Sequence, residues 1–386
     1  MLAASGHLLG GVSLYTLLSM GDAPYAYTEP CTASIKTFFP GAGLRKALNA
    51  GRVEALRYPL SKIPSLFDRN EVSADIVFLQ VSEPDADGYV SLGISVDYMP
   101  AVLRQKPVVV AEINPRMPIT CGESRFHASD IDWYIQADEL PYASSAPKPD
   151  EIDARIANNV ASLIRDGSVL QVGIGTLPQL VLGKLGHLKH LGLHCGMISD
   201  AARPLIESGI VDNSQKRHFP GVTVTSMAVA SHSFYDFLNK NKAIAFLPCD
   251  VTNNGRLIAE TDRFVAVNSA LQVDLAGYAN AERANGKMVA LPGGLPDFSS
   301  AATKARKGLS IIAIRSSFGN GKFSNIVASC GAQERTLVPE DISYVVTEFG
   351  IATIKGVDPA ARAHGLVSIA HPDFRDELEA LLRKST

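Results

Sequence analysis

Short apolar runs alternate along this chain with stretches whose apolar residues recur at helical spacing. Asp75–Val81 (DIVFLQV) and Pro107–Ile113 (PVVVAEI) are β-branched and almost unbroken in apolarity, the pattern of strands buried on both faces of a parallel sheet. Between them Ser82–Gly93 (SEPDADGYVSLG) is turn chemistry, rich in Asp, Pro and Gly. Ser144–Lys148 (SSAPK), with Pro149 behind it, reads as a linker. Directly after it, Ile152, Ile156, Val160, Leu163 and Ile164 share one helical face, with Asp150 placed to cap the start and Gly167 to stop it. A strand over Ser168–Val172 and a second helix from about Pro178 should follow. Leu309–Ile314 (LSIIAI) and Ile342–Thr347 (ISYVVT) are further strand candidates. The alternation predicts an α/β fold with mostly parallel sheets, divided into domains over 1–148 and 149–386.

Composition narrows the function classes. The 386 residues are 46% apolar and 19% charged, enough to bury the cores of two domains. A net charge of −3 without a Lys or Arg run argues against nucleic acid as a partner. An anionic substrate would have to be recruited locally rather than steered by the whole protein. No apolar run reaches membrane-spanning length, and the apolar stretch MLAASGHLLGGVSLYTLL has no Lys or Arg before it, so neither a membrane span nor a secretory signal is expected. The five scattered cysteines (Cys31, Cys121, Cys195, Cys249, Cys330) lack a CxxC pair and read as reduced thiols of a cytoplasmic protein. The histidines offer one HxxxH spacing, His190 and His194, with no paired Cys/His ligand pattern to complete it, and neither a GxSxG elbow nor a Walker pattern is present; no metal site is expected.

Two segments carry the chemistry: QVGIGTLPQLV (Gln171–Val181), a strand–glycine-turn–helix pattern, and LHCGMISD (Leu193–Asp200). Together they resemble the acetyl-CoA hydrolase and 4-hydroxybutyrate CoA-transferase family, part of the class I CoA-transferases. Further segments agree: FFPGAGLR (Phe38–Arg45), Glu112 and Asn114 in AEINPRMP, HASDID (His127–Asp132), YVVTEFGIATIKG (Tyr344–Gly356), Arg362 and IAHPDFRDEL (Ile369–Leu378). The resemblance covers nearly the whole chain and implies two related α/β domains of CoA-transferase type. Relatives carry further residues at the amino end, including an early glycine-rich turn; two readings stay open, that this branch lost the first strand–turn segment of the first domain or that the chain's start lies too far downstream.

The family's mechanism is covalent. A glutamate in a segment resembling H-T-E-M-x-S-D attacks the acyl thioester, and the resulting anhydride is converted to a glutamyl-CoA thioester. Here Gly196 stands in that glutamate's place, between His194 and Met197. Glycine supplies a backbone donor for an oxyanion but no nucleophile. Cys195 adjoins the vacant position and is chemically able to take an acyl group, but adjacent strand residues face opposite ways, and a small buried hydrophobe is the plainer reading. His194 has a family counterpart and reads as structural. The turn Gly173, Ile174, Gly175, Thr176 and Leu177 aims backbone amides where CoA phosphates bind. Asn268 in VNSALQVDLAG (Val267–Gly277) matches an asparagine that contacts CoA, while Gln272 replaces a glutamate. In LPGGLPDF (Leu291–Phe298), Gly293, Gly294 and Asp297 match a loop lying against the thioester, but Leu291 replaces its first glycine. Leu309 occupies the place of a lysine, for which Lys307 is a substitute candidate.

The resemblance with these departures leaves three readings open. One is an enzyme that hydrolyses or transfers an acyl thioester of CoA or of a phosphopantetheine carrier protein without a glutamyl-CoA intermediate and without a covalently bound cofactor. Another is a catalytically inactive CoA- or acyl-binding subunit. The third is an ordinary carboxylate CoA-transferase. A homo-oligomer is expected, or a hetero-oligomer with an active homologue.

Overall fold

The expected strands form, and their exposure shows which faces the fold covers. The computed structural model describes residues 10–27, 33–144, 148–173 and 175–385. In the first half, β1 (Ser13–Leu17), β2 (Ser34–Phe39) and β3 (Val53–Ala55) form a parallel sheet in that order. A second parallel sheet joins β4 (Ile76–Val81), β5 (Val108–Ile113) and β6 (Trp133–Gln136). Val77, Leu79, Val81, Val109, Ala111 and Ile113 enter the main core, while Ile76, Phe78 and Val108 are exposed. The expectation that β4 and β5 are buried on both faces is therefore corrected: only alternate residues are covered, because among the described residues no helix lies on the other face.

The second half starts with α1 (Glu151–Ala161). Asp150 caps it as expected, its carboxylate accepting from the Asp153 amide at 3.0 Å while Asp153 answers through the Asp150 amide. The helix ends at Ala161, short of Gly167, because its last turns tighten into three-residue bonds, Leu163 N to Val160 O and Ile164 N to Ala161 O. Ile156, Val160 and Ile164 are buried as the spacing predicts, and Ile152 is exposed. Then come β7 (Val169–Val172), α2 (Thr176–Gly183) and β8 (Gly192–Leu193). Pro178 falls in the first turn of α2, where a missing N–H costs no intrahelical bond.

The chain continues through β9 (Thr223–Thr225), β10 (Ile244–Phe246), β11 (Phe264–Asn268), α3 (Leu295–Ala302), β12 (Leu309–Ala313), β13 (Tyr344–Thr347) and β14 (Gly350–Thr353). The largest sheet has the order β8-β7-β11-β12-β13-β14, parallel except for β14. Helix α3 packs on β11 and β12 over Phe264, Ala266, Phe298 and Ala302, and α1 lies against β13 and α2. No described helix is long and apolar enough to cross a membrane.

The halves interlock. Val96 N donates to Ser226 O at 3.0 Å and Ala228 N to Ile94 O at 2.8 Å, zipping a first-half segment onto Ser226–Ala228. Cys121–Gly122 pairs with β10. The Arg57 guanidinium grips Glu282 with two bonds of 2.8 and 2.7 Å.

Candidate functional site

In a parallel sheet every strand ends on the same edge, and ligands settle where successive connections leave in opposite directions. Strand β7 is that point here, since the chain goes next to β8 on one side and later to β11 on the other. A cleft of about 370 Å³ opens there, lined by Thr176 and Leu177 after β7, Ser269 and Ala270 after β11, and Ile314 and Arg315 after β12, with Lys148, Asp153 and Asn325 at its margin. Gly175 adopts φ +113°, a conformation side chains disfavour, and so turns β7 into the start of α2. Gly173 precedes that turn, and Ile174 lies outside the described residues. Asn268 is level with Gly173 and exchanges two amide bonds with Gln171, of 3.1 and 2.8 Å. Gln171 is nearly fully buried and was not singled out by motif; it holds the Asn268 side chain, one residue before Ser269 of the cleft.

Arg315 faces this cleft already paired. Its guanidinium contacts Asp150 at 2.9 Å and Asp153 at 2.7 Å. Lys148 is exposed at the margin, placed to meet an anion beside the start of α2.

Gly196 lies three residues beyond Leu193, as Gly173 lies three beyond its partner Leu170, so both come out on the carboxyl edge. After β8 the strand shifts partners: His194 N donates to Leu170 O, and Cys195 N to Val224 O, each at 2.9 Å. The Gly196 carbonyl accepts from both Ser226 N and Met227 N at 3.2 Å. Gly196 and Met197 are only partly buried, in a run otherwise shielded from Leu191 to Ser199. A Cβ at residue 196 would lie 3.3 Å from the Phe298 ring edge and 3.4 Å from Asn253 Oδ1.

The flanking residues face elsewhere. His194 is buried, and its Nε2 lies 2.8 Å from the carbonyl of Thr252, to which it donates. Burial, aided by the nearby Lys216 charge, pulls its pKa down to about 3 and keeps the ring neutral. Cys195 is likewise buried. Its thiol reaches Leu170 O at 3.5 Å and borders a small cavity with Gly173, Pro178 and Leu182. Burial raises the Cys195 pKa to about 11, so the thiolate is scarce near neutrality. The structure thus does not bring the Cys195 sulfur to the side of the strand where a residue-196 side chain would project.

The glycine loop crosses between the halves. Gly293 has φ +58° and its Cα faces the Phe39 ring, 3.1 Å from where a Cβ would stand; only glycine meets both demands. Its carbonyl accepts from Leu60 N at 3.1 Å. Asp297 accepts from Ser61 N at 3.0 Å and Ser61 Oγ at 2.7 Å, and Asn253 Nδ2 approaches it at 3.4 Å. A Cβ at Gly294 would come within 2.5 Å of Asn253 Nδ2, and Leu291 is buried. Lys307 is placed differently from the sequence expectation. It is exposed just ahead of β12, as Leu309 is that strand's first residue, whereas the cleft opens at Ile314 and Arg315 beyond its last. Several extended residues separate the two edges, at about 3.3 Å each, so Lys307 does not reach the cleft.

Besides Gln171, motif reasoning missed three residues around Gly196. Asn253 touches the space above Gly196. Asp97 is fully buried and accepts from Ser95 Oγ and from Ser226 Oγ at 3.2 Å, beside the amides that hold Gly196. Burial pushes the Asp97 pKa up to about 6, against the lowering effect of both hydroxyls. Ser226 links Asp97 to Gly196, through its Oγ on one side and its amide on the other. They share no local motif; only tertiary pairing brings them to Gly196.

Two family models match: Acetyl-CoA hydrolase/transferase N-terminal domain over residues 8–144 and Acetyl-CoA hydrolase/transferase C-terminal domain over residues 230–382. The chain is 37% identical to the 4-hydroxybutyrate coenzyme A transferase of Clostridium kluyveri, over 95% of this chain and 86% of that protein. Among solved structures it is similar to the 4-hydroxybutyrate CoA-transferase of Porphyromonas gingivalis (32% identity, TM-score 0.81, 100% of this chain and 96% of that one). It is also similar to RipA from Yersinia pestis (28% identity, TM-score 0.92, 100% of this chain and 90% of that one). The α/β architecture is that of the CoA-transferases, and the chain belongs to the acetyl-CoA hydrolase/transferase family.

Proposed function

We propose that this protein binds an acyl thioester, of CoA or of a phosphopantetheine carrier, and cleaves or transfers the acyl group without a glutamyl-CoA intermediate. The observation that carries the reading is the contrast between two neighbouring features. The cleft at the carboxyl edge is open and polar at Thr176, Ser269 and Lys148, while residue 196, which follows the neighbouring strand β8 out at the same edge, has no side chain. The proposed route is direct attack on the thioester carbonyl by water or an acceptor. Backbone N–H groups near Gly196 would stabilise the developing oxyanion, and Asn253 would orient the attacking molecule. The buried Cys195 thiol, its pKa raised, favours this route over a thioacyl enzyme. In this reading Gly173, Gly175, Thr176, Leu177 and Asn268 form the CoA side of the site, and Leu291, Gly293 and Gly294 the acyl side.

A second reading, a CoA-binding subunit without turnover, is favoured by one feature. His194 and Cys195, the reactive side chains flanking Gly196, are both engaged with backbone carbonyls. Incubation with acetyl-, butyryl- and aromatic acyl-CoA, with and without acetate, separates the two. Free CoA released without acceptor supports hydrolysis; acetyl-CoA formed from butyryl- or aromatic acyl-CoA only with acetate, as the expelled CoA thiolate attacks the acetyl side of the mixed anhydride and releases the original acid, supports transfer. Retained CoA binding with no turnover of any thioester, carrier-bound ones included, leaves the binding subunit.

A further inference from the structure

Beyond β12 the chain leaves the cleft as a hairpin and comes back to it. Arg315 and Asn325 both line the cleft, and between them Ser317–Phe318 pairs antiparallel with Phe323–Ser324. The base of this hairpin is fastened on three sides. Ser316 donates from its amide and its Oγ to Glu348 at 3.0 and 2.6 Å. Asn325 donates from Nδ2 to Arg315 O at 2.9 Å and from its amide to Ser316 O at 2.8 Å, and its carbonyl accepts from Val273 N at 2.9 Å. The tip reverses through Gly319, Asn320 and Gly321, all with positive φ, residue types that such a tight turn requires. A rigid base at the cleft thus carries a protruding tip.

That tip holds two phenylalanines directly across from each other. The rings of Phe318 and Phe323 stack with centroids 4.9 Å apart and planes 25° from parallel, yet Phe318 is 43% and Phe323 54% exposed. Cross-strand pairing accounts for the contact between the rings, but not for the apolar faces left to solvent. Alternate residues of a strand share a face, so Phe323 stands on the same side of the hairpin as Asn325, about 7 Å further out from the cleft margin. The Phe323 ring is also backed by the turn, since a Cβ at Gly319 would lie 3.1 Å from its edge. Held from behind by Phe318 and Gly319, the platform is ordered before any ligand arrives, which lowers the entropic cost of stacking on it. Lys322, exposed in the turn, puts a cation beside it.

The two thioesters left open by the proposed function differ at this end of the molecule. Both carry the same pantetheine arm and a phosphate, but the carrier-bound arm continues into a protein serine and CoA continues into a phosphorylated adenosine. An aromatic platform flanked by a cation, outside a cleft whose margin holds Lys148, has the chemistry to take a flat base with its phosphates. We infer that Phe318 and Phe323 seat the adenine ring of a CoA thioester, and that the substrate of this site is therefore a CoA ester and not a carrier-bound one. The inference rests on the thioester reading of the cleft and narrows it. Ring stacking at the tip supplies affinity for the nucleotide, while the cleft holds the arm.

Calorimetric titration of the full chain with CoA, with phosphopantetheine and with adenosine bisphosphate, the nucleotide portion of CoA, tests it. Wild type should bind CoA roughly tenfold more tightly than phosphopantetheine, and the bisphosphate should compete with CoA. The double variant Phe318→Leu/Phe323→Leu keeps an apolar cross-strand pair but no ring. It should bind CoA about tenfold more weakly and phosphopantetheine as before. Phe318→Tyr/Phe323→Tyr keeps both rings and should stay within about twofold of wild type for each ligand. Unchanged CoA affinity in the leucine variant overturns the inference, including the case where light scattering shows that the variant has lost a dimer contact. An equal loss for CoA and phosphopantetheine also overturns it, because the hairpin would then act on the shape of the cleft. Wild type that binds phosphopantetheine as tightly as CoA overturns the adenine seat alone. Wild type that binds neither overturns the thioester reading and the adenine seat with it.

Discussion

The ring edge of Phe298 lies 3.3 Å from the point where a Cβ at Gly196 would stand. That separation is tighter than ordinary packing, yet the backbone of Gly196 is not in the left-handed region, so a side chain is admitted once the ring shifts by a few tenths of an ångström. Gly196→Ala should lower stability by about 1 kcal/mol, the low end for overpacking, and Phe298→Leu in the same protein should recover part of it. Urea denaturation of the single and double variants checks both. Gly196→Glu should carry the same strain and bring carboxylate-dependent transfer from butyryl-CoA to acetate. A folded Gly196→Glu protein with no such transfer would show that more than the carboxylate separates this site from a glutamate-dependent transferase.

Cys195 tests the route of attack. Its sulfur is held against Leu170 O inside the sheet layer, and burial raises its pKa. Cys195→Ala should leave the rate of any thioester turnover within about twofold and cost roughly 1 kcal/mol in lost packing. Intact mass after incubation with acyl-CoA should show no adduct at this residue. A stable acyl adduct abolished by Cys195→Ala would overturn the direct-attack reading.

Lys148 and Arg315 border the same cleft but should behave differently. Arg315 is held by Asp150 and Asp153, the pair that closes the amino end of α1. Arg315→Ala should mainly destabilise, because Asp153 is buried and would lose its cation. Lys148→Ala should weaken CoA binding about fivefold with no change in melting temperature, as expected for one exposed phosphate contact of about 1 kcal/mol. Calorimetric titration with CoA at two salt concentrations measures it, and the Lys148→Ala protein should show the weaker salt dependence.

Much of this arrangement was legible in local pattern. The Asp150 cap, the buried positions Ile156 and Val160, and the strands around Val109 and Ile311 follow from spacing, since each depends on neighbours a few residues away. Exposure of Phe78 and Trp133 was not legible, because apolarity shows that a face wants cover and not whether cover is present. Lys307 misled for a different reason. It is two residues from Leu309 in sequence, but strand direction puts both at the edge away from the cleft. Asp97, Ser226 and Asn253 come together only through pairing between distant segments, which no local motif encodes. The contact between residue 196 and Phe298 is of the same kind, since the two are about a hundred residues apart in sequence.

His194 and Asp97 should make opposite contributions to acid stability. The folded pKa of His194 is about 3 against 6.5 for the free side chain. Between these values the unfolded chain holds more protons, so stability is lost as pH falls from about 6.5 towards 3. Asp97 runs the other way. Its folded pKa is about 6 against 3.8, so the native state holds the extra proton between these values and stability rises as pH falls through that window. Each group contributes about 1.4 kcal/mol per pH unit where its two states differ, and from pH 6 to pH 4 the two slopes nearly cancel. Asp97→Asn, which keeps an acceptor for Ser95 and Ser226, should expose the His194 slope and make the protein lose roughly 3 kcal/mol more than wild type between pH 6 and pH 4. His194→Gln, whose amide can still donate to Thr252 O, should instead gain stability relative to wild type over the same interval. Urea midpoints at pH 4, 5, 6 and 7 for the three proteins decide the matter, since parallel curves would mean that neither group changes protonation on folding.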